Sequence, residues 1–274
     1  LMKGFRLAGS RDGVKPVVVL EGSWSIAEGS YLSSLEFDNI EFRHEANNNY
    51  FMNTSKAYTI ENVSFVNCDF ISLRRGFWRH QSANAKYIMN LEMEGCRFEG
   101  CGWQTSAYGT FNLQSFDKDN GVSYDQVDRA IFRNCTFSND NDGTNGYGWG
   151  NLFYAPYMDK PIELEYKNVT IYNPSRNQRL INIESAVGSK LVMQGILLAS
   201  PCGDLYAIGA NTTTTFSDNY TTADYALGGS KMNATDLEIT ADKLFADPVN
   251  GDLTIKDTSS PIVNSRAGDT RWLP

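Results

Sequence analysis

Apolar residues in this chain recur as short alternating quartets. They read NIEF from Asn39 to Phe42, NCDF from Asn67 to Phe70 and GCRF from Gly95 to Phe98. Further on they read NCTF from Asn134 to Phe137, NVTI from Asn168 to Ile171 and GILL from Gly195 to Leu198. Each opens on Asn or Gly and then places an apolar residue, a variable residue and a second apolar one, the period-two pattern of a strand with one buried face. Successive quartets begin 27 to 39 positions apart. A second strand follows each quartet, as in Tyr50 to Thr54, Gly76 to His80, Gly109 to Gln114 and Asn151 to Pro156. A third precedes most of them, as in Ser33 to Phe37, Ala57 to Glu61 and Tyr87 to Leu91. Three strands per turn, repeated without a long amphipathic helix, predict an all-β solenoid in which each strand pairs in parallel with its counterpart one coil along, about 4.8 Å away.

That stacking predicts two inward ladders. Cys68, Cys96, Cys135, Val169 and Ile196 form one, and Phe42, Phe70, Phe98, Phe137, Ile171 and Leu198 the other. Asn39, Asn67, Asn134 and Asn168 share the slot before each quartet, where an amide tolerates unusual backbone angles and bonds to the neighbouring turn. A single domain over 1–274 is expected. Its coils run over about 16–210, Asn211 to Asp236 forms a surface loop, and the Pro- and Gly-punctuated tail from Leu244 caps the open end.

Composition narrows the chemistry. With 24 Lys and Arg against 32 Asp and Glu, the 274-residue chain carries a net charge of -8. A broad footprint for nucleic acid is therefore not expected. The longest apolar run, Pro16 to Leu20, is too short to span a bilayer. Two histidines, His44 and His80, leave no His-rich metal site. The count of five cysteines leaves at least one thiol unpaired, and the ladder positions predict buried thiols; Cys96 with Cys101, or Cys202 with another, remain the candidate bridges. No signal peptide opens the chain at Leu1 and Met2, so it reads as a mature portion or an excised fragment.

The repeated NC-x-F rungs, the segment GSWSIAEGSYLSSLEFDNIEF and the closing LFADPVNGDLTIKD resemble right-handed parallel β-helices of the pectate-lyase-like superfamily. They are most similar to β-helix domains of unknown function in surface lipoproteins of bacterial polysaccharide-utilisation systems. The resemblance implies an exported cell-surface protein, anchored at the outer membrane through a lipid or upstream domains, that meets a polysaccharide or oligosaccharide as a monomer. One fold hosts lyases, hydrolases, esterases and binding modules, so the site must decide the activity. The Gly-His-Gly motif of polygalacturonase-type hydrolases has no counterpart, because the histidines stand in RHE and RHQ. Nor does any strand carry the acidic cluster with which pectate lyases hold calcium.

If Phe51, Phe77, Phe111 and Phe153 point inward, then Met52, Trp78, Asn112 and Tyr154 point outward, followed by Thr54, His80, Gln114 and Pro156. Loops carrying Trp103, Tyr108, Tyr147 and Trp149 would wall the same cleft. Aromatic faces pack on sugar rings while amides orient hydroxyls, so Trp78, His80, Trp103, Tyr108, Asn112, Gln114, Tyr147, Trp149 and Tyr154 are the candidate glycan-binding residues. The ordinary alternative for each aromatic is packing beneath its own loop. Arg74, Arg75, Arg79 and His80 form a basic patch able to meet a uronate or sulfate. In a lyase, His80 would be the base and Arg75 or Arg79 the charge neutraliser, although neighbours on a strand face opposite ways. No cofactor is expected beyond a calcium ion on Asp140 and Asp142, which lack the twelfth-position Glu of an EF-hand. Three functions follow: a non-catalytic polysaccharide-binding protein as the leading expectation, a lyase or glycoside hydrolase acting on an acidic glycan, and a structural spacer or adhesin-like stalk.

Overall fold

Each of the six quartets opens on a residue with left-handed backbone angles. Asn39, Asn67, Gly95, Asn134, Asn168 and Gly195 have φ of 56, 51, 63, 49, 52 and 64°. These are the opening positions of the six quartets. Asn and Gly are the residues that occupy this region at least cost, and the amides also link coils: Asn67 Nδ2 donates to Asn39 Oδ1 at 2.7 Å, and Asn39 Nδ2 to the Ser10 carbonyl at 2.5 Å. The computed structural model describes residues 3–44, 50–73, 75–101, 109–138, 152–173, 179–200, 206–225 and 232–274.

Between the turns run three parallel sheets. The first stacks Lys3–Ala8, Ser30–Asp38, Tyr58–Val66, Lys86–Glu94, Asp125–Arg133, Glu163–Lys167, Lys190–Gln194 and Thr213–Ser217 in that order. The second begins at Val17–Leu20 and follows the quartets through Glu41–His44, Asp69–Ile71, Arg97–Glu99, Thr136–Ser138, Thr170–Tyr172 and Leu197–Ala199 to Tyr220–Thr221 and Thr235–Asp236. The third joins Tyr50–Thr54, Gly76–His80, Phe111–Leu113, Phe153–Tyr154, Ile181–Ile183 and Tyr206–Ile208. The chain is an all-β parallel solenoid.

Both expected inward ladders are present. Phe42, Phe70, Phe98 and Phe137 stack face to face at 5.5, 4.9 and 4.7 Å between ring centroids. Cys68, Cys96 and Cys135 are buried free thiols in one column. Cys101 is a buried thiol that donates to the Phe70 carbonyl at 3.3 Å, so the considered Cys96–Cys101 bridge is absent; Cys202 lies outside the described residues.

Three boundaries differ from the sequence reading. The coils start at Lys3, whose strand pairs with Ser30–Asp38. They also continue past Ala210, because the Thr-rich segment is a strand: Thr213–Ser217 pairs in register with Lys190–Gln194. Its three leading threonines are exposed, which hides the apolar alternation, while their β-branched side chains suit a pleated edge. Finally, the tail does not sit on the open end. Tyr225 and Met232 join the main core there, whereas Leu244, Phe245, Leu253, Ile255 and Ile262 pack with Leu197 and Ala199 on the flank of the second sheet. The tail is pinned to that flank by hydrogen bonds from Thr136 Oγ1 to Asp269 Oδ2 (2.7 Å), from Trp272 Nε1 to Thr136 Oγ1 (2.7 Å) and from Asp269 N to Thr170 Oγ1 (2.9 Å). At Gly268, φ is 80° and a Cβ would lie 2.8 Å from Thr170 Oγ1, so only glycine allows this approach.

Candidate functional site on the third sheet

A bulge sets which residues the third sheet displays. The backbone N–H groups of both Phe77 and Trp78 donate to the Thr110 carbonyl, at 2.8 and 3.0 Å, and those of Leu152 and Phe153 both donate to the Leu180 carbonyl. Two consecutive residues therefore turn inward at this corner. Phe51 and Phe77 stack at 5.0 Å, as expected, but Phe111 pairs with Trp78 and Phe153 with Phe111. Trp78 thus belongs to the inward column of Met52, Phe111 and Phe153 and is 0% exposed. It cannot stack on a polymer outside.

His80 is corrected by the same shift. It follows Trp78 two residues on, shares its face, and is also 0% exposed. Its Nδ1 lies 2.6 Å from Asp125 Oδ1 and its Nε2 2.5 Å from Tyr58 Oη, while Asp125 Oδ2 accepts from Ser115 N at 2.6 Å. A carboxylate only accepts, so Nδ1 carries the proton. Burial raises the Tyr58 phenol well above its ordinary value. This is a sealed polar network inside the coil with no face toward a polymer, and it removes the base considered for a lyase.

The outward ladder is instead the intervening one: Asn53, Arg79, Asn112, Tyr154 and Asn182, paired in that order across five coils, of which Asn53, Arg79 and Tyr154 are half-buried while Asn112 and Asn182 are buried. Asn112 and Tyr154 were expected on this face, and Arg79 is there without His80. Arg79 is held over the Tyr50 ring at 5.5 Å, and Arg75 lies just before the same strand. Gln114, from the expected set, donates from Nε2 to Asn112 Oδ1 at 2.7 Å. Asn112 Nδ2 and Asn53 Oδ1 are buried atoms without a partner among the described residues.

Beside Tyr154 stands an aromatic pair that sequence reasoning missed. Phe116 and Tyr157 stack at 4.4 Å with an interplanar angle of 16°, and Tyr157 is 36% exposed. Phe116 belongs to a two-stranded hairpin, Phe116–Asp117 with Val122–Ser123, inserted between coils. No sequence repeat announces that insertion. Burial, with Tyr157 and Glu184 nearby, raises the Tyr154 phenol and keeps it neutral; Arg179 opposes this and pairs with Glu184 at 3.5 Å. Asn182 and Asn53, also missed, are readable as ladder mates of Asn112 once the bulge is counted.

Trp103, Tyr108, Tyr147 and Trp149 lie outside the described residues, as do Asp140 and Asp142 of the calcium expectation and Arg74 of the basic patch. Among the described residues no group of three or more His, Cys, Asp or Glu side chains is placed to hold a metal, and no helix is long and apolar enough to cross a membrane. The face can stack an apolar ring surface on Tyr154, Tyr157 and Phe116 and bond a hydroxyl through Gln114, with Asn112 and Asn182 buried beneath it. Comparison of the chain with protein-family models, with curated proteins and with solved structures returned no match in any of the three.

Proposed function

We propose that this solenoid is a non-catalytic polysaccharide-binding protein of the pectate-lyase-like β-helix type, exported to the cell surface, that lays a glycan chain along the outward ladder of its third sheet. The observation that carries the reading is the aromatic group of Tyr154, Tyr157 and Phe116 beside the outward ladder, which supplies the apolar faces that sugar rings require. Two residues before Phe116, the half-buried Gln114 amide offers a partner for a hydroxyl and is itself held by its bond to the buried Asn112. Arg79 and Arg75 extend the range to uronates or sulfated sugars.

The binding reading is favoured over a lyase because His80 is enclosed by Tyr58 and Asp125, which leaves Arg79 and Arg75 as neutralisers without that base. The test is native electrophoresis through gels containing plant and host glycans, paired with absorbance of unsaturated product. Retardation without product, lost in Asn112→Ala and Tyr154→Ala, supports the proposal. Product formation would establish the lyase, and neither signal would leave the spacer.

A further inference from the structure

On the opposite flank, the outer face of the first sheet carries two tyrosines at one ladder position. Tyr31, Thr59, Tyr87 and Gln126 pair in sequence across four coils, which sets the tyrosines two coils, roughly 9.5 Å, apart. Each hydroxyl donates to a carboxylate on the next coil: Tyr31 Oη to Glu61 Oε1 at 2.8 Å, and Tyr87 Oη to Asp128 Oδ2. Gln126 Nε2 fixes the second acceptor by donating to Asp128 Oδ1 at 2.8 Å.

Each acceptor stands two positions beyond the residue paired with its tyrosine, Glu61 beyond Thr59 and Asp128 beyond Gln126, so both hydroxyls reach the same way toward the next coil. Tyr31 is 45% exposed. The same carboxylates hold both phenols above their ordinary value, Tyr87 up to about 12, so the rings stay neutral. A parallel row of amides runs beside them. Asn90 Nδ2 donates to Asn62 Oδ1 at 3.2 Å, and Asn62 Nδ2 to the Ser33 carbonyl at 3.2 Å.

We propose that this face is a second carbohydrate-binding surface, with Tyr31 and Tyr87 as paired ring platforms for a neutral, extended polysaccharide. Two rings in the same pose at a two-coil interval match a polymer whose sugar units recur along its length, and the Asn62–Asn90 row bonds the hydroxyls at the polymer's edge. Neutrality follows from the charges next to the rings. Glu36 and Glu92 on this sheet are paired with Arg6 and Arg129, but the carboxylates that meet the two tyrosines are Glu61 and Asp128, so a uronate or sulfate seated on either ring faces a like charge. The inference rests on the glycan-binding reading of the protein but on none of its third-sheet residues.

The test uses soluble hydroxyethylcellulose, xylan and galactomannan in affinity gels, with Tyr31→Ala/Tyr87→Ala compared with the wild type and with Asn112→Ala/Tyr154→Ala. Loss of both rings is expected to weaken retardation by a neutral glycan roughly tenfold. Tyr31→Phe/Tyr87→Phe, which keeps the rings, should retain most of it, and an unchanged melting transition confirms folding. Tyr31 should also be protected from tetranitromethane nitration by the retarding glycan, read by peptide mass spectrometry. Retardation that survives in the double alanine variant, an absence of protection, or a wild type that no neutral glycan retards would overturn the proposal. If the third-sheet variants bind normally while the tyrosine variants do not, the third-sheet reading fails and this one stands.

Discussion

His80 and Asp125 meet inside the solenoid, Nδ1 to Oδ1 at 2.6 Å, and tie the third sheet to the start of a first-sheet strand one coil further on. Both are buried, and Tyr58 closes the other side of the ring. The bond spans the inserted hairpin: Ser115 N, just before Phe116, donates to the second Asp125 oxygen. The network therefore anchors the base of the loop that presents Phe116 to Tyr157.

His80→Ala should unfold the protein at lower denaturant rather than abolish a surface activity. Removing one member of a buried pair leaves the Asp125 charge and the Tyr58 hydroxyl uncompensated, at a cost of roughly 3–5 kcal/mol. Urea titration followed by circular dichroism reads this directly, and a stability change below about 1 kcal/mol would show that the network is not structurally engaged.

Trp78→Ala should likewise act on stability. A fully buried Trp in the core costs about 3–5 kcal/mol when truncated. Tyr154→Ala, on a half-buried outward position, should leave the melting temperature nearly unchanged and reduce glycan retardation. The opposite assignment of effects would place Trp78 outside and invalidate the bulge register.

Asn67→Ala forces a Cβ-bearing residue without a compensating amide into φ 51°, at roughly 1–2 kcal/mol, and deletes the bond to Asn39. Asn67→Gly should recover most of the loss. Chemical denaturation of the two variants side by side separates the backbone contribution from that of the amide.

His44 is buried, with neither ring nitrogen hydrogen-bonded among the described residues, and burial lowers its pKa below the usual 6.5. The unfolded chain then takes up this proton more readily than the folded one, so stability should fall as pH drops from about 6.5 toward the lowered value. His44→Leu should lack that component of the acid sensitivity. Melting temperatures measured from pH 7 down to pH 5 would show identical slopes if the ring were free to charge.

The Cys68 thiol is pushed up by its neighbour Cys96 and by burial, and Cys96 by burial first. Thiolate is the reactive form. Native protein should therefore leave Cys68 and Cys96 unmodified by iodoacetamide, and burial should shield Cys101 and Cys135 from the reagent, with alkylation appearing only in denaturant. Peptide mapping under both conditions decides it.

The quartets, by their apolar alternation and opening Asn or Gly, determined the six central coils, the Cys and Phe ladders and the turns between the first and second sheets there. Those features rest on local rules, a period of two and a left-handed residue, that recur in every coil and so are written in the chain itself. The displayed face of the third sheet was not. One bulge at Phe77 and Trp78 reverses which neighbours look outward, and it is enforced by a shared carbonyl on the next coil, a partner roughly thirty residues away. The flank position of the tail, the hairpin bearing Phe116 and the sealed pairing of His80 with Asp125 were decided the same way, by contacts between distant segments that no local pattern encodes.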